Sequence, residues 1–149
     1  MLLSGVAVAA CGTGEIEVAT ITCADITADL TSRRADMITT PSGLMYEELA
    51  EGRGKAAEAG DQVYTHYTLC SLDAEEIDSS LAPGRGEPLD FSLSSGQMIP
   101  GFDEGVLGMK VGGRRILVLP PALAYGEQPP SAGSDIVFHV QLMSIGTPE

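Results

Sequence analysis

The chain has 149 residues, the length of one ordinary domain. Lys and Arg number 8 against 21 Asp and Glu, giving a formal charge of −13. That balance argues against the clustered basic face of a nucleic-acid binder and disfavours docking on anionic lipid. Aromatic residues make up 5% with no Trp, so a pocket must be lined largely by aliphatic side chains. With 18 Gly and 9 Pro, turns and short elements are expected throughout. No carboxylate run has calcium-loop spacing, the two histidines lie far apart, and no C-x-x-C pair occurs. Neither a metal nor a cofactor is expected.

Leu2 to Ala10 is apolar but too short to cross a bilayer, and no basic residue precedes Arg33. It reads as the end of a targeting peptide, as a lipoprotein cleavage box at Val8-Ala9-Ala10-Cys11, or as an apolar arm. Residues 16–27 are rich in β-branched side chains without a clear period. Residues 1–39 are therefore expected to be an extension that the following domain does not need for its core. Its deletion should then leave the melting temperature unchanged. Cys11 and Cys23 could close a disulfide worth on the order of 3 kcal/mol, which would order this segment. Two unrelated thiols are the alternative, and Cys70 reads as a small buried hydrophobe.

From Gly43 the pattern turns regular. Leu44–Leu49 is a short strand, and a polar stretch runs on to Gly60. Val63, Thr65, Tyr67 and Leu69 alternate with their neighbours, the period-2 mark of a strand. Leu81–Pro88 is a Gly/Pro loop, and Leu89–Leu93 is a second alternating strand. Pro100 suits the first turn of a short helix through Val106, with Asp103 and Glu104 favouring its dipole. Val111-Gly112-Gly113 reads as a turn and Ile116–Leu119 as an apolar strand stopped by two prolines. A last strand places Ile136, Phe138, Val140 and Leu142 on one face. The fold class is α+β: a curved antiparallel sheet of about five strands wrapped around one short helix.

From about Thr40 to Gly146 the chain resembles the FKBP-type peptidyl-prolyl isomerases. The resemblance rests on ordered motifs: Pro41-Ser42-Gly43-Leu44, Gly60-Asp61, His66-Tyr67-Thr68 and Asp78-Ser79-Ser80, then Met98 to Val106, Met109 to Gly113, Ala124-Tyr125-Gly126 and Val137 to Leu142. It implies a domain at 40–149 with a proline-receiving pocket walled by Tyr67, Phe91, Met98, Ile99, Phe102 and Phe138. Ile77 and Leu89 stand at wall positions where the best-known members carry phenylalanine. Tyr125 matches the tyrosine whose hydroxyl bonds a substrate carbonyl, beside the Ile99 N–H. Asp78 matches the acid that ties a wall tyrosine, here Tyr67, to a loop arginine. Arg85 is the candidate, one residue out of step. His66 and His139 are read as structural.

The implied reaction is rotation about an X–Pro bond, whose barrier is roughly 18–20 kcal/mol because amide resonance must be broken. It requires no proton transfer, so no triad or metal cluster is called for. Phe102 stands where archetypal members place tryptophan, and the Tyr125–Ile136 loop is shorter than theirs. These departures argue against tight macrolide binding. Two functions follow: an isomerase acting on proline-containing polypeptides, or a binding module docked to a photosynthetic membrane complex through residues 1–39. The acidic surface and arm resemble thylakoid-lumen members, with bacterial periplasmic or envelope lipoprotein members the alternative.

Overall fold

The computed structural model describes residues 16–146, so the readings of Leu2–Ala10 and of Cys11 lie outside the described residues. The expected strands form at β2 (Met45–Ala50), β4 (Gln62–Cys70), β6 (Leu89–Ser92), β8 (Arg114–Leu119) and β9 (Ile136–Ile145). Shorter strands join them: β1 (Ile38–Thr39), β3 (Arg53–Ala56), β5 (Glu76–Ser79) and β7 (Lys110–Val111). The main sheet runs β1-β2-β8-β9-β4-β5, with β6 also on β4, and every pairing is antiparallel. β3 and β7 form a separate ribbon, because Val111 pairs with Arg53 beside the expected Gly112-Gly113 turn.

One face of this sheet holds Val63, Tyr67, Leu69, Leu117, Leu119, Phe138, Val140 and Leu142, all buried around one helix. That helix is α3 (Pro100–Val106), with Pro100 at its first turn as expected. Gly101 and Gly105 let it lie unusually close. A Cβ built on Gly101 would run into the Leu119 side chain, and one on Gly105 into Leu117. In an open helix either Gly→Ala change would gain about 1 kcal/mol. Here the collision outweighs that gain, so the glycines serve packing. The far end of α3 is held by Arg115, whose Nη1 donates to the carbonyls of Gly105 (3.0 Å) and Leu107 (3.1 Å). Those carbonyls have no helical partner of their own, and the cation opposes the dipole's negative end. Arg115 is itself fixed by Glu48 at 2.9 Å and stacks 4.7 Å above the Tyr46 ring.

The opposite face of the sheet corrects the reading of the extension for its described part, residues 16–39. Helices α1 (Cys23–Thr27) and α2 (Leu30–Arg34) lie across it. Ile26 is fully buried, and Cys23, Leu30 and Met37 nearly so, against Cys70, Ile116, Val118 and Val137. Helices of one turn do not persist alone in water; these are held by the sheet and by local bonds. Thr22 and Asp25 form a reciprocal capping box at the start of α1. Arg33 donates to the Ile26 and Ala28 carbonyls (3.0 and 2.8 Å) and to Glu47 of β2 at 2.8 Å. Farther back, the Gln141 amide accepts from the Ala19 N–H at 2.8 Å and donates to the Glu17 carbonyl at 3.0 Å. The segment therefore covers a sheet face, and only Ile38–Thr39 adds an edge strand.

The expected Cys11–Cys23 bridge is overturned, as is the free Cys70: the disulfide joins Cys23 to Cys70. Spacing along the chain suggested the local pair, but α1 sits on the end of β4 and brings Cys23 to a partner 47 residues away. Closing a loop of that length is worth on the order of 4 kcal/mol through the unfolded chain.

His139 lies on this covered face, buried, with its Nε2 unpaired among the described residues. Burial, then the Arg114 charge, lowers its pKa from 6.5 to about 4. The unfolded chain takes up the proton below 6.5, while the folded chain does not until about 4. Stability from this group is thus complete above pH 6.5 and lost progressively as pH falls towards 4, by up to about 3 kcal/mol.

Deleting residues 1–39 should lower the melting temperature by about 10 °C or more, since several side chains each contribute about 2 kcal/mol. Unreduced native protein should also yield a Cys23–Cys70 linked peptide; an unchanged melting point with both thiols alkylated would contradict this packing. Separately, His139→Gln should flatten the fall in melting temperature between pH 6.5 and 4.5, measured by circular dichroism. Parallel curves for variant and wild type would show that His139 does not carry that acid sensitivity.

Candidate functional site

The inner face closes around Phe102, which is fully buried on α3. Three rings surround it: Phe138 at 5.0 Å, Phe91 at 5.6 Å and Tyr67 edge-on at 6.0 Å. Such tilted and edge-to-face contacts suit the charge distribution of aromatic rings and fix each ring's orientation. Their placement follows from strand alternation: Tyr67 on β4, Phe91 on β6 and Phe138 on β9 all point to the helix side. Leu89, Met98, Ile99 and Tyr125 pack on this cluster while staying partly exposed, which makes them its rim. Of the candidate residues only Ile77 stands apart. It is 39% exposed and falls at the register shift where β5 leaves its regular pairing with β4.

A polar chain runs along one side of the rim. The Tyr67 hydroxyl donates to Asp78 Oδ2 at 2.6 Å, and Arg85 Nη1 donates to Asp78 Oδ1 at 2.7 Å. The Ser79 N–H donates to the same Oδ1 at 2.8 Å. The resemblance implied a buried network. In fact only Tyr67 is buried, while the Asp78 and Arg85 side chains are 45% and 46% exposed. Arg85 reaches Asp78 despite its displaced position in the loop. Partial burial would push the Asp78 carboxyl up, but the bonds from Tyr67, Arg85 and Ser79 together hold it below the usual range. Tyr67 is pushed up by burial and by its bond to Asp78. Tyr125 is pushed up by burial and then by the Asp78 charge, so both phenols are protonated donors at neutral pH.

Ile99 stands just before α3, where its carbonyl accepts from the N–H groups of Phe102 and Asp103 at 3.1 Å each. Its own N–H makes no hydrogen bond among the described residues, leaving a donor beside the aromatic floor. Tyr125 follows a 3-10 turn at Pro121–Leu123, and its N–H donates to the Ser131 hydroxyl at 3.1 Å. Ser131 is buried, a supporting role the sequence did not disclose: in a Gly/Pro/Ser-rich loop a serine reads as solvent-facing. The geometry thus assembles a dry aromatic floor, an aliphatic rim, and donors at Ile99 N and Tyr125 Oη. His139 and the Gln141 amide lie on the other face and take no part.

Comparison with known proteins finds relatives in both sequence and fold. The family described as FKBP-type peptidyl-prolyl cis-trans isomerase matches residues 53–143. The FK506-binding protein of Streptomyces anulatus is 46% identical over 94 residues, covering 62% of this chain and 74% of its own. FK506-binding protein 2 of Yarrowia lipolytica is 41% identical over 109 residues, covering 69% and 73%. Among solved structures, FkpA from Escherichia coli has a TM-score of 0.65 at 35% identity, over 83% of this chain and 61% of that one. AtFKBP13 has a TM-score of 0.66 at 29% identity, over 72% and 97%. With the family match spanning residues 53–143 and these similarities in sequence and fold, the chain belongs to the FKBP-type peptidyl-prolyl cis-trans isomerases.

Proposed function

We propose that the basin above Phe102 receives the proline ring of a client polypeptide and that its rim twists the preceding amide. The single observation carrying this reading is the fully buried Phe102 with three rings 5.0–6.0 Å away, on which the partly exposed Leu89, Met98, Ile99 and Tyr125 pack. The chain is a peptidyl-prolyl cis-trans isomerase serving protein folding. In the reading we favour, the aromatic floor binds the pyrrolidine ring and strips water from the amide. Ile99 N–H and the Tyr125 hydroxyl then hold the substrate carbonyls on either side of the rotating bond.

The catalytic gain comes from differential binding. A planar amide resists rotation by roughly 18–20 kcal/mol, and a pocket that fits the twisted form better than either planar form lowers that barrier. Loss of water favours the twist further, because the twisted amide has less charge separation for water to stabilise. Asp78 fits this scheme as the group that orients the Tyr67 ring, with Arg85 fixing its second oxygen. Without Asp78 the buried Tyr67 hydroxyl would lack its partner, at a cost of about 1–3 kcal/mol.

The compartment is a further part of the proposal. A disulfide between Cys23 and Cys70 supports an oxidising setting, which both the thylakoid lumen and the bacterial envelope provide. The buried side chains of residues 23–37 are already spent on the chain's own sheet. That favours a freely acting folding factor over a module docked to a membrane complex through this segment. Several relatives are named for binding FK506. Phenylalanine at 102, an aliphatic Leu89 on the rim and an Ile77 that stands apart from it argue against tight macrolide binding.

In a protease-coupled assay on a short X–Pro peptide, Tyr125→Phe and Asp78→Ala should both lower kcat/KM while the fold persists. Asp78→Ala should cost more, roughly tenfold, in line with one charged hydrogen-bond partner lost. Wild-type turnover in both variants would move the reaction away from this basin.

A further inference from the structure

Asp78 and Arg85 are both nearly half exposed, yet they must be held within 3 Å of each other and of the Tyr67 hydroxyl. Exposed ion pairs hold geometry poorly, because two long side chains must give up their freedom for little net energy. Something less exposed has to supply the order. Ser80, two residues beyond Asp78, is completely buried. Its N–H donates to the Tyr67 carbonyl at 3.0 Å, and its hydroxyl accepts from the Tyr67 N–H at 2.9 Å. Both backbone polar groups of Tyr67 are therefore bound by one serine. The Ser80 carbonyl accepts from the Gly86 N–H at 2.9 Å, which pins the residue next to Arg85. The polar chain at the rim is thus closed through the backbone: Tyr67 to Ser80, back through Ser79 to Asp78, and on to the Tyr67 hydroxyl.

A second side chain fixes the Ser80 hydroxyl. His66 Nδ1 lies 2.9 Å from Ser80 Oγ on the covered face of β4, and His66 is 6% exposed. Burial holds the imidazole below its usual pKa although the Glu87 charge works the other way, so the ring is neutral at pH 7. With Ser80 Oγ already accepting from Tyr67, its proton is free to go to Nδ1, and the His66 proton then sits on Nε2. That bond is shorter than the 3.4 Å alternative to the Tyr67 carbonyl. We infer that Ser80, locked by His66, is the positioning residue of this site, setting the Tyr67–Asp78–Arg85 chain from behind the sheet. It touches no substrate and acts only through the residues that do. The inference rests on the pocket reading proposed above.

The experiment compares Ser80→Ala, His66→Leu and His66→Asn with the wild type, alongside Asp78→Ala. Asparagine keeps a polar atom near the Nδ1 position, while leucine keeps only bulk. The readouts are kcat/KM on an X–Pro peptide and the ultraviolet titration of Tyr67, assigned by difference against Tyr67→Phe. Ser80→Ala and His66→Leu should lose roughly three- to tenfold in kcat/KM, the effect of one buried hydrogen bond. Both should also titrate Tyr67 at lower pH, because the phenol's bond to Asp78 loosens. His66→Asn should recover most of both. If Ser80→Ala does not fold, the two His66 variants carry the test by themselves. Unchanged turnover and Tyr67 titration in the folded variants would overturn the proposal, and so would a loss of turnover with Tyr67 titrating as in the wild type. Full activity of Asp78→Ala would withdraw the pocket reading and this inference with it.

Discussion

Helix α3 approaches the sheet at a distance that only hydrogen at two Cα positions permits. Gly101 and Gly105 face Leu119 and Leu117, and the gap would close on any larger residue. This contact sets the depth of Phe102, hence the spacing of the three rings around it and the height of the Ile99 N–H above them. Packed interiors are as dense as organic crystals, so moving a short helix by part of an ångström moves the whole floor. Arg115 finishes the job at the other end by taking up the Gly105 and Leu107 carbonyls. A helix of 7 residues would not hold its place without both constraints.

The sheet itself is stiff because both faces are covered. Residues 65–70 of β4 are all buried, which a half-exposed strand could not show. The inner face packs on α3 and the outer face on α1 and α2, with Cys23–Cys70 joining the outer layer to β4. Tyr67 and Ser80 meet in this doubly covered region. The Asp78–Arg85 pair above it is nearly half exposed, and in the inference drawn above its order comes from the buried strand below.

The inner face was legible in the sequence, since alternation in β4, β6 and β9 and the Pro100 helix signal are local patterns. Each of Tyr67, Phe91, Phe102 and Phe138 joined the cluster that the family motifs implied. The outer face was not legible. Ile26, Leu30 and Met37 are spread through two single-turn helices and a turn, too short for a helical period to emerge. Cys23 found a partner across 47 residues, a pairing that spacing cannot encode. The strands β3, β5 and β7 escaped because they have 2 to 4 residues and irregular registers. His66 and Ser80 were visible as motif members, but their bond joins β4 to the turn after β5 and appears only in three dimensions.

The central claim is that the basin over Phe102 is where an X–Pro bond turns. Nuclear magnetic resonance of a short proline-containing peptide with catalytic amounts of the protein tests it directly, because exchange between cis and trans peptide signals reports the reaction without a coupling protease. Side-chain signals of Tyr67, Phe91, Phe102 and Tyr125, followed at higher peptide ratios, report where it occurs. The account predicts accelerated exchange together with shifts confined to that basin and its Leu89–Met98 rim. Accelerated exchange with shifts centred on the outer face near His139 and Gln141, or a silent basin, would contradict it.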